Sequence, residues 1–211
     1  MASIVAAGQT LSQISAPVLA LFVLTMSVCF SGGIHLDGWM DASDAFFSYR
    51  DKQKRLAIMD DPRTGSFAVL SLFLLLAWRY LFMMETIADA ALTTLVLIVL
   101  VPCFARLAMA LVFLYTPLAK QEGLAAFFKT GLEKKDGFFH AGSMIVLFAA
   151  IGFLNDGALI PAGLLLMTAL FFAFFSKHFI ERQFGGVTGD TLGATVEGAE
   201  TGLWLILWLL H

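Results

Sequence analysis

Residues 90–116 read AALTTLVLIVLVPCFARLAMALVFLYT, a predominantly apolar run that contains one charged residue, Arg106. As a single α-helix this run would be about 40 Å long at about 1.5 Å per residue, enough to cross a bilayer. Pro102 offers the alternative of two short segments, because proline kinks or breaks a helix. The choice between these alternatives decides on which side of the membrane the flanking loops lie.

Apolar sequence of this kind dominates the chain. Of its 211 residues, 59% are hydrophobic and 14% are charged, and the mean hydropathy is +0.85. This composition exceeds what a soluble domain needs and indicates a membrane protein with several spans. Five further runs approach the length of a spanning helix: residues 14–33, 65–83, 138–154, 159–176 and 191–211. We predict an all-α helical bundle of about six spans, forming one domain over residues 1–211.

The positive charges decide between the two topologies. Lys and Arg concentrate in segments 34–64, 117–137 and 177–189, whereas the links around Glu85–Asp89 and Asn155–Gly157 contain none. If residues 90–116 form one span, all three basic segments fall on the same side, as the positive-inside rule requires. We therefore predict a single span there, an outer N-terminus, and basic segments on the cytoplasmic face of the cell (inner) membrane.

Other features limit the function or carry no predicted chemistry. The net charge of −3 argues against a nucleic-acid partner, which would require a basic surface. Cys29 and Cys103 lie inside apolar runs, so we expect them to pack rather than to form a disulfide or a metal site. Arg79 and Glu85 flank the end of the second run, and we expect them to anchor its outer boundary.

The main candidate for chemistry lies between the first two runs, where residues 32–65 read GGIHLDGWMDASDAFFSYRDKQKRLAIMDDPRTG. On a helix, Asp37, Asp41 and Asp44 share one face and repel one another unless a cation neutralises them. Carboxylate oxygens favour Mg²⁺, which commonly takes phosphate as a further ligand. A loop that needed only solubility would mix charge signs on that face. The pattern predicts a phosphoryl-transfer centre beside the membrane.

A second cluster precedes the last apolar run, where residues 185–190 read GGVTGD. Asp190 and Glu197 stand two turns apart on one helix face, and the glycines permit close approach to a phosphorylated ligand. The alternative is an ordinary helix entry that Asp190 caps. That alternative does not explain Glu197 and Glu200. Inserting a carboxylate into the membrane costs about 2.5–3.5 kcal/mol, so an intramembrane carboxylate is a functional candidate.

Arg106 is a third unusual charge, in the middle third of the longest run. It is close enough to the end of the run to extend its side chain toward the membrane surface. Alternatively, it pairs with carboxylates or with a substrate phosphate. The sequence leaves both alternatives open.

The segment around Asp37 resembles the cobalamin synthase family, the adenosylcobinamide-GDP ribazoletransferases. Matching positions are His35, Asp37, Gly38, Asp41, Asp44, Arg55, Ile58, Met59, Asp61, Arg63 and Gly65. Two further ordered blocks match, FAR at 104–106 with EGL at 122–124, and GGVTGDTLGA at 185–194. Asp60, Pro62 and Lys120 stand where the family commonly has Lys, Ser and Arg, and the family usually has a longer N-terminal region.

The resemblance implies a late step of vitamin B12 assembly, in which a GDP-activated corrinoid is joined to α-ribazole or its 5′-phosphate and GMP is released. We expect Mg²⁺ as cofactor, membrane lipid around the protein, and an oligomeric state that the sequence leaves open, a homo-oligomer included. The predicted metal ligands are Asp37, Asp41, Asp44, Asp61 and Asp190. The predicted substrate-binding residues are Arg55, Arg63, Arg106, Gly185, Gly186 and Thr188. The predicted catalytic residues are His35, Asp41, Asp190 and Glu197.

Two other functions remain as alternatives. The CDP-alcohol phosphotransferases also hold metal with spaced aspartates, but their pattern has Ala-Arg after the second aspartate, whereas Ala-Ser-Asp follows Asp41 here. A small ion-coupled transporter would explain the intramembrane acids, but it leaves the loop aspartates unexplained and no inverted repeat supports it. GMP release that requires both substrates would separate the three functions.

Overall fold

The computed structural model describes residues 14–88 and 91–211, without the side chains of Lys134 and Leu154. The first 13 residues of the predicted domain, and Asp89 and Ala90, lie outside the described residues. The described residues form α1 (Ala16–Ser31), α2 (Ile34–Phe47), α3 (Lys52–Met59), α4 (Ser66–Ala88), α5 (Leu92–Tyr115), α6 (Leu124–Lys129), α7 (Gly137–Leu154), α8 (Leu159–Phe184) and α9 (Gly189–Leu209). No β-strand occurs among them, which confirms the predicted all-α fold.

The first apolar run ends in a sharp turn at two glycines. Gly32 and Gly33 have φ angles of 63° and 76°, in the left-handed region that glycine adopts without a Cβ penalty. The chain bends by 88° between α1 and α2. The apolar helix α1 therefore ends at Ser31, and the three aspartates lie on the separate helix α2.

The longest apolar run, residues 90–116, forms one helix over its described part, as predicted. α5 continues from Leu92 to Tyr115 with Pro102 inside it. Proline cannot donate a backbone hydrogen bond, but the α-helix continues through Pro102 despite this loss. Val101, Phe104 and Ala105 around this position are fully buried, so packing against the other helices supports the segment.

The predicted number of six spans is not confirmed. Within the described ranges, three helical segments are long and apolar enough to cross a membrane: Ser66–Ala88, Leu92–Tyr115 and Asp156–Phe184. A fourth follows if the bent pair of α1 and α2 counts as one span. The apolar stretch Gly137–Phe153 is shorter, and α9 carries three acidic residues. Six spans therefore stay a prediction.

α9 is the central helix of the bundle and packs against α2, α4, α5 and α8. Its Trp204 is fully buried, whereas Phe153 and Ile160 on the outside are 91% and 79% exposed. Extensive exposed apolar surface marks an interaction with membrane or partner, and lipid chains would cover it here.

Cys29 and Cys103 are free and exposed, so the prediction that they pack inside is wrong.

The three basic segments meet at one end of the bundle. Val187 donates a backbone hydrogen bond to the carbonyl of Pro117 (2.8 Å), which joins the segment after α5 to the one before α9. Lys52 Nζ donates to the carbonyl of Glu181 (3.1 Å), which ties α3 to the end of α8. The sequence prediction that these segments share one side is therefore confirmed, while the compartment that they face stays a prediction.

Candidate active site

The predicted acidic face lies on α2. Asp37, Asp41 and Asp44 all belong to this helix, with Asp37 exposed and the other two half-buried. The spacing at i, i+4 and i+7 directs the three carboxylates to one side of α2. Apolar side chains of Trp39 and Phe46 occupy the other side, where they line cavities among α4, α8 and α9.

α2 crosses the start of α9 at very short range. A Cβ atom on Gly38 would lie 2.7 Å from the carbonyl oxygen of Asp190, and one on Gly193 would lie 3.1 Å from the Cα of His35. Contacts this close require glycine, since any side chain would push the two backbones apart. The crossing brings Asp190 to the acidic face of α2, although it lies 149 positions after Asp41 in the sequence.

The electrostatics of Asp41 reflect this convergence. Burial, followed by the negative charges of Asp37, Asp190 and Asp44, raises the pKa of Asp41 to about 6. Burial also raises the pKa of Asp190, and its own backbone N–H and the Thr188 hydroxyl partly offset that effect. The four aspartates therefore form an electronegative group at which a cation would be stabilised.

The acidic group fits one of the ways in which proteins bind Mg²⁺. Within residues 14–88 and 91–211, no three His, Cys, Asp or Glu side chains stand close enough to hold a metal ion by themselves. Mg²⁺ rarely needs such a cage, because one or two carboxylates, several waters and substrate phosphates commonly complete its shell. Hard oxygen donors and the raised pKa of Asp41 fit that mode of binding.

Asp44 also has a structural role. Its two carboxylate oxygens accept hydrogen bonds from the backbone N–H groups of Gly65 (2.5 Å) and Ala68 (2.9 Å). These groups lie at the start of α4, where the first N–H groups of a helix lack partners within the helix. Asp44 therefore caps α4 from a distance and fixes α2 against it.

The glycine-rich turn before α9 is explained largely by backbone packing. Gly185 ends α8 at φ 84°, and a Cβ on Gly186 would lie 2.5 Å from the carbonyl oxygen of Pro117. Thr188 caps α9 and exchanges hydrogen bonds with Thr191. Thr188 also lines a polar cavity of about 200 Å³ that reaches Asp190. The predicted substrate roles of Gly185, Gly186 and Thr188 stay predictions.

The basic residues of α3 and its flank lie outside the acidic group. Arg55 Nη1 donates to Gln183 Oε1 (2.6 Å), which ties α3 to α8. Arg63 is exposed and forms an ion pair with Asp61 (2.5 Å), and hydrogen bonds from Arg63 lower the pKa of Asp61 to about 2. Asp61 is thus engaged by Arg63, and its role as a metal ligand stays a prediction.

His35 lies at the start of α2, on the other side of the site. It is half-buried, and burial followed by the positive charge of Arg106 lowers its pKa, with Glu197 acting in the opposite direction. Of the two alternatives that the sequence left open for Arg106, the structure shows the pairing with a carboxylate. Its side chain is 45% exposed and stands 3.8 Å from Glu200 Oε2.

Arg79 is the residue that sequence reasoning missed. The prediction that it anchors an outer boundary is wrong, since it is 1% exposed and stands 2.7 Å from Glu197 Oε2. Its position inside an apolar run was a usable signal, because Glu197 and Glu200 in another run need a buried cation. Glu197, predicted as catalytic, is thus engaged in a buried ion pair.

Comparison with known proteins identifies the family to which the chain belongs. A family model described as cobalamin-5-phosphate synthase matches residues 1–208. A Geobacillus sp. (strain WCH70) protein named adenosylcobinamide-GDP ribazoletransferase is 43% identical over 95% of this chain and 76% of its own length. A Pseudomonas syringae pv. syringae relative of the same name is 35% identical over 90% of this chain and 75% of its own. No solved structure matches.

These matches cover nearly the whole chain, including the aspartate segment and the turn before α9. They separate the enzyme from the transporter alternative, since the relatives are named as transferases. The chain therefore belongs to the cobalamin-5-phosphate synthase family and is a membrane-type transferase of cobalamin synthesis.

Proposed function

We propose that this protein transfers the phosphocobinamide moiety of adenosylcobinamide-GDP to α-ribazole or its 5′-phosphate, with release of GMP and with Mg²⁺ as cofactor. The name of the relatives supplies the substrate class, and the family description names a phosphorylated product. The observation that carries the proposal is the approach of Asp190 on α9 to Asp37 and Asp41 on α2.

Asp37, Asp41 and Asp190 are the residues that would hold Mg²⁺. Both oxygens of Asp44 cap α4, and Asp61 is held by Arg63, so we assign these two a supporting role. When bound, Mg²⁺ supplies neutralisation of negative charge on the pyrophosphate. The protein itself contributes by positioning the reacting groups, since phosphoryl transfer depends mainly on their alignment and on electrostatic stabilisation.

The proposed reaction is a direct displacement at a phosphorus atom. A hydroxyl oxygen of the ribazole attacks the phosphorus on the corrinoid side, the bond from that phosphorus to the bridging oxygen breaks, and GMP leaves with that oxygen. His35, whose lowered pKa keeps it neutral near pH 7, is suited to accept the hydroxyl proton, and Asp190 is the second candidate. The half-exposed Arg106 can hold phosphate oxygens through two N–H groups.

The proposed site lies at the end of the bundle where the three basic segments meet. By the positive-inside rule, the end of a membrane protein that carries the Lys and Arg residues faces the cytoplasm. Lys52 and Arg55 lie at this end and are bonded to the end of α8. We therefore propose a cytoplasm-facing active site.

The test is GMP release from purified protein in liposomes with Mg²⁺ and both substrates. We expect release to require both the corrinoid-GDP and the ribazole. Asp41→Asn should lower the rate by about 100-fold or more, since it removes charge stabilisation at the reacting phosphate. Glu85→Gln, an exposed change on α4 far along the chain from the aspartates, serves as the matched control and should leave the rate unchanged. A folded Asp41→Asn variant with the wild-type rate would refute the assignment.

A further inference from the structure

A buried arginine holds the central helix from within the bundle. Arg79 on α4 donates from Nη2 to the backbone carbonyl of Glu197 (2.7 Å) and to Thr201 Oγ1 (2.7 Å). Its Nε also donates to Thr201 Oγ1 (3.0 Å), and Nη2 stands 2.7 Å from Glu197 Oε2. One planar guanidinium therefore contacts α9 at two positions one turn apart, which a lysine could not reproduce.

The charges around Arg79 balance. Glu200 Oε1 stands 3.9 Å from Arg79 Nη1, and Glu200 Oε2 stands 3.8 Å from Arg106 Nη1. Two arginines and two glutamates thus join α4, α5 and α9 in a group of four that carries no formal net charge. Breaking a buried pair by removing one partner leaves an uncompensated charge, which is strongly destabilising.

This group is connected to the acidic site through α9. Glu197 lies seven residues after Asp190, about 10 Å along the helix and nearly two full turns later. Whatever fixes the rotation of α9 at Glu197 therefore also sets the direction of Asp190. A rotation by one residue position, about 100°, would turn Asp190 away from Asp41.

We propose that Arg79 is a positioning residue for the transferase reaction, fixing the rotation of α9 so that Asp190 meets Asp37 and Asp41. In this role it acts through Glu197 and Thr201 and touches no substrate. It also keeps Glu197 engaged, which leaves Arg106 as the exposed arginine of the group. This inference rests on the proposed function for its catalytic consequence, while the helix position that it describes can be measured separately.

The experiment uses a charge-balanced variant, because Arg79→Met alone leaves two glutamates with one arginine and is expected to fold poorly. Arg79→Met combined with Glu197→Gln leaves Arg106 facing Glu200, with no net charge. Lys177→Met combined with Glu181→Gln removes a half-exposed ion pair (2.7 Å) within α8 and is the matched control. Each pair is compared with wild type for melting temperature, GMP release and helix position.

Helix position is measured by cross-linking. Cysteines are introduced by Trp39→Cys and Gly198→Cys, in a chain whose two native cysteines are replaced by alanine. The Trp39 ring approaches within 3.3 Å of a Cβ built on Gly198, so a short thiol cross-linker should join α2 to α9. The cross-linked fraction depends on the rotation of α9 and requires no activity.

We expect the Arg79 and Glu197 double variant to melt near wild type, to lose most of its cross-linking and to release GMP about 100-fold more slowly, with the α8 control unchanged. Wild-type cross-linking and turnover in the double variant would overturn the inference and leave Arg79 with charge neutralisation alone. Should the double variant fail to fold, Arg79→Lys decides in the same way, because it keeps the charge and loses the two-position contact. If wild type itself releases no GMP, the proposed function fails, and cross-linking still decides the role of Arg79.

Discussion

Replacing Asp41 by asparagine should stabilise the metal-free protein while it slows GMP release by about 100-fold or more. Burial and three neighbouring carboxylates raise the pKa of Asp41 from 3.8 to about 6, so its ionised form is less stable in the folded state than in the unfolded one. Asparagine has the same shape and cannot ionise. The variant therefore avoids an electrostatic cost that the wild type bears.

The magnitude follows from the pKa shift. Two units at about 1.4 kcal/mol each correspond to about 3 kcal/mol, and solvent screening of a half-buried group reduces this to about 1–2 kcal/mol. For a chain of this size that free energy corresponds to about 3–6 °C in melting temperature. The size of the effect depends on pH, because a carboxyl group whose pKa is raised on folding costs no stability below about pH 3.8 and its full cost is reached as the pH rises through about 6.

The assay is thermal unfolding of detergent-purified protein in EDTA at pH 7.5 and again near pH 4.5. Asp41→Asn should melt above wild type at pH 7.5, and the difference should shrink at the lower pH. Adding Mg²⁺ to ten times its dissociation constant should raise the free energy of unfolding of the wild type by about 1.4 kcal/mol and leave that of the variant unchanged. A variant that melts below wild type in EDTA at pH 7.5, or that gains equally from Mg²⁺, would refute the reasoning.

Three further changes test the surroundings of the site. Gly38→Ala places a Cβ 2.7 Å from the Asp190 carbonyl oxygen, so GMP release should fall about 100-fold, while Gly142→Ala, with open space around it, should keep the wild-type rate. Asp44→Ala removes the cap of α4 and should lower the free energy of unfolding by about 1–2 kcal/mol, measured by thermal melting; an unchanged melting temperature would contradict the capping role. Arg106→Lys should raise the KM for the corrinoid-GDP with little change in melting temperature, and an unchanged KM would remove Arg106 from phosphate binding.

Local features of the fold were predictable from the sequence. The single helix through Pro102 follows from the distribution of basic residues, which places all three basic segments on one side only if residues 90–116 form one span. The acidic face of α2 follows from the helical period, which places Asp37, Asp41 and Asp44 on one side. These features depend on neighbours in sequence, where spacing determines geometry.

Contacts between distant helices were less predictable. α4 and α5 are apolar on nearly all sides, so their sequences do not show which side faces the bundle. The partner of Arg79 depends on how α4 and α9 are rotated about their axes, and periodicity carries no information on that rotation. The spacing and the family resemblance both predict Asp44 as a metal ligand, and its bonds to Gly65 and Ala68 become visible once α4 is in place.

The most direct test of the central claim is a titration with Mn²⁺ as a spectroscopic substitute for Mg²⁺, followed by electron paramagnetic resonance. Wild type, Asp41→Asn and Asp190→Asn are compared at equal protein concentration in detergent. If α2 and α9 share one divalent ion, both variants should lose the same tightly bound Mn²⁺. Binding at the wild-type level in either variant would contradict a shared site.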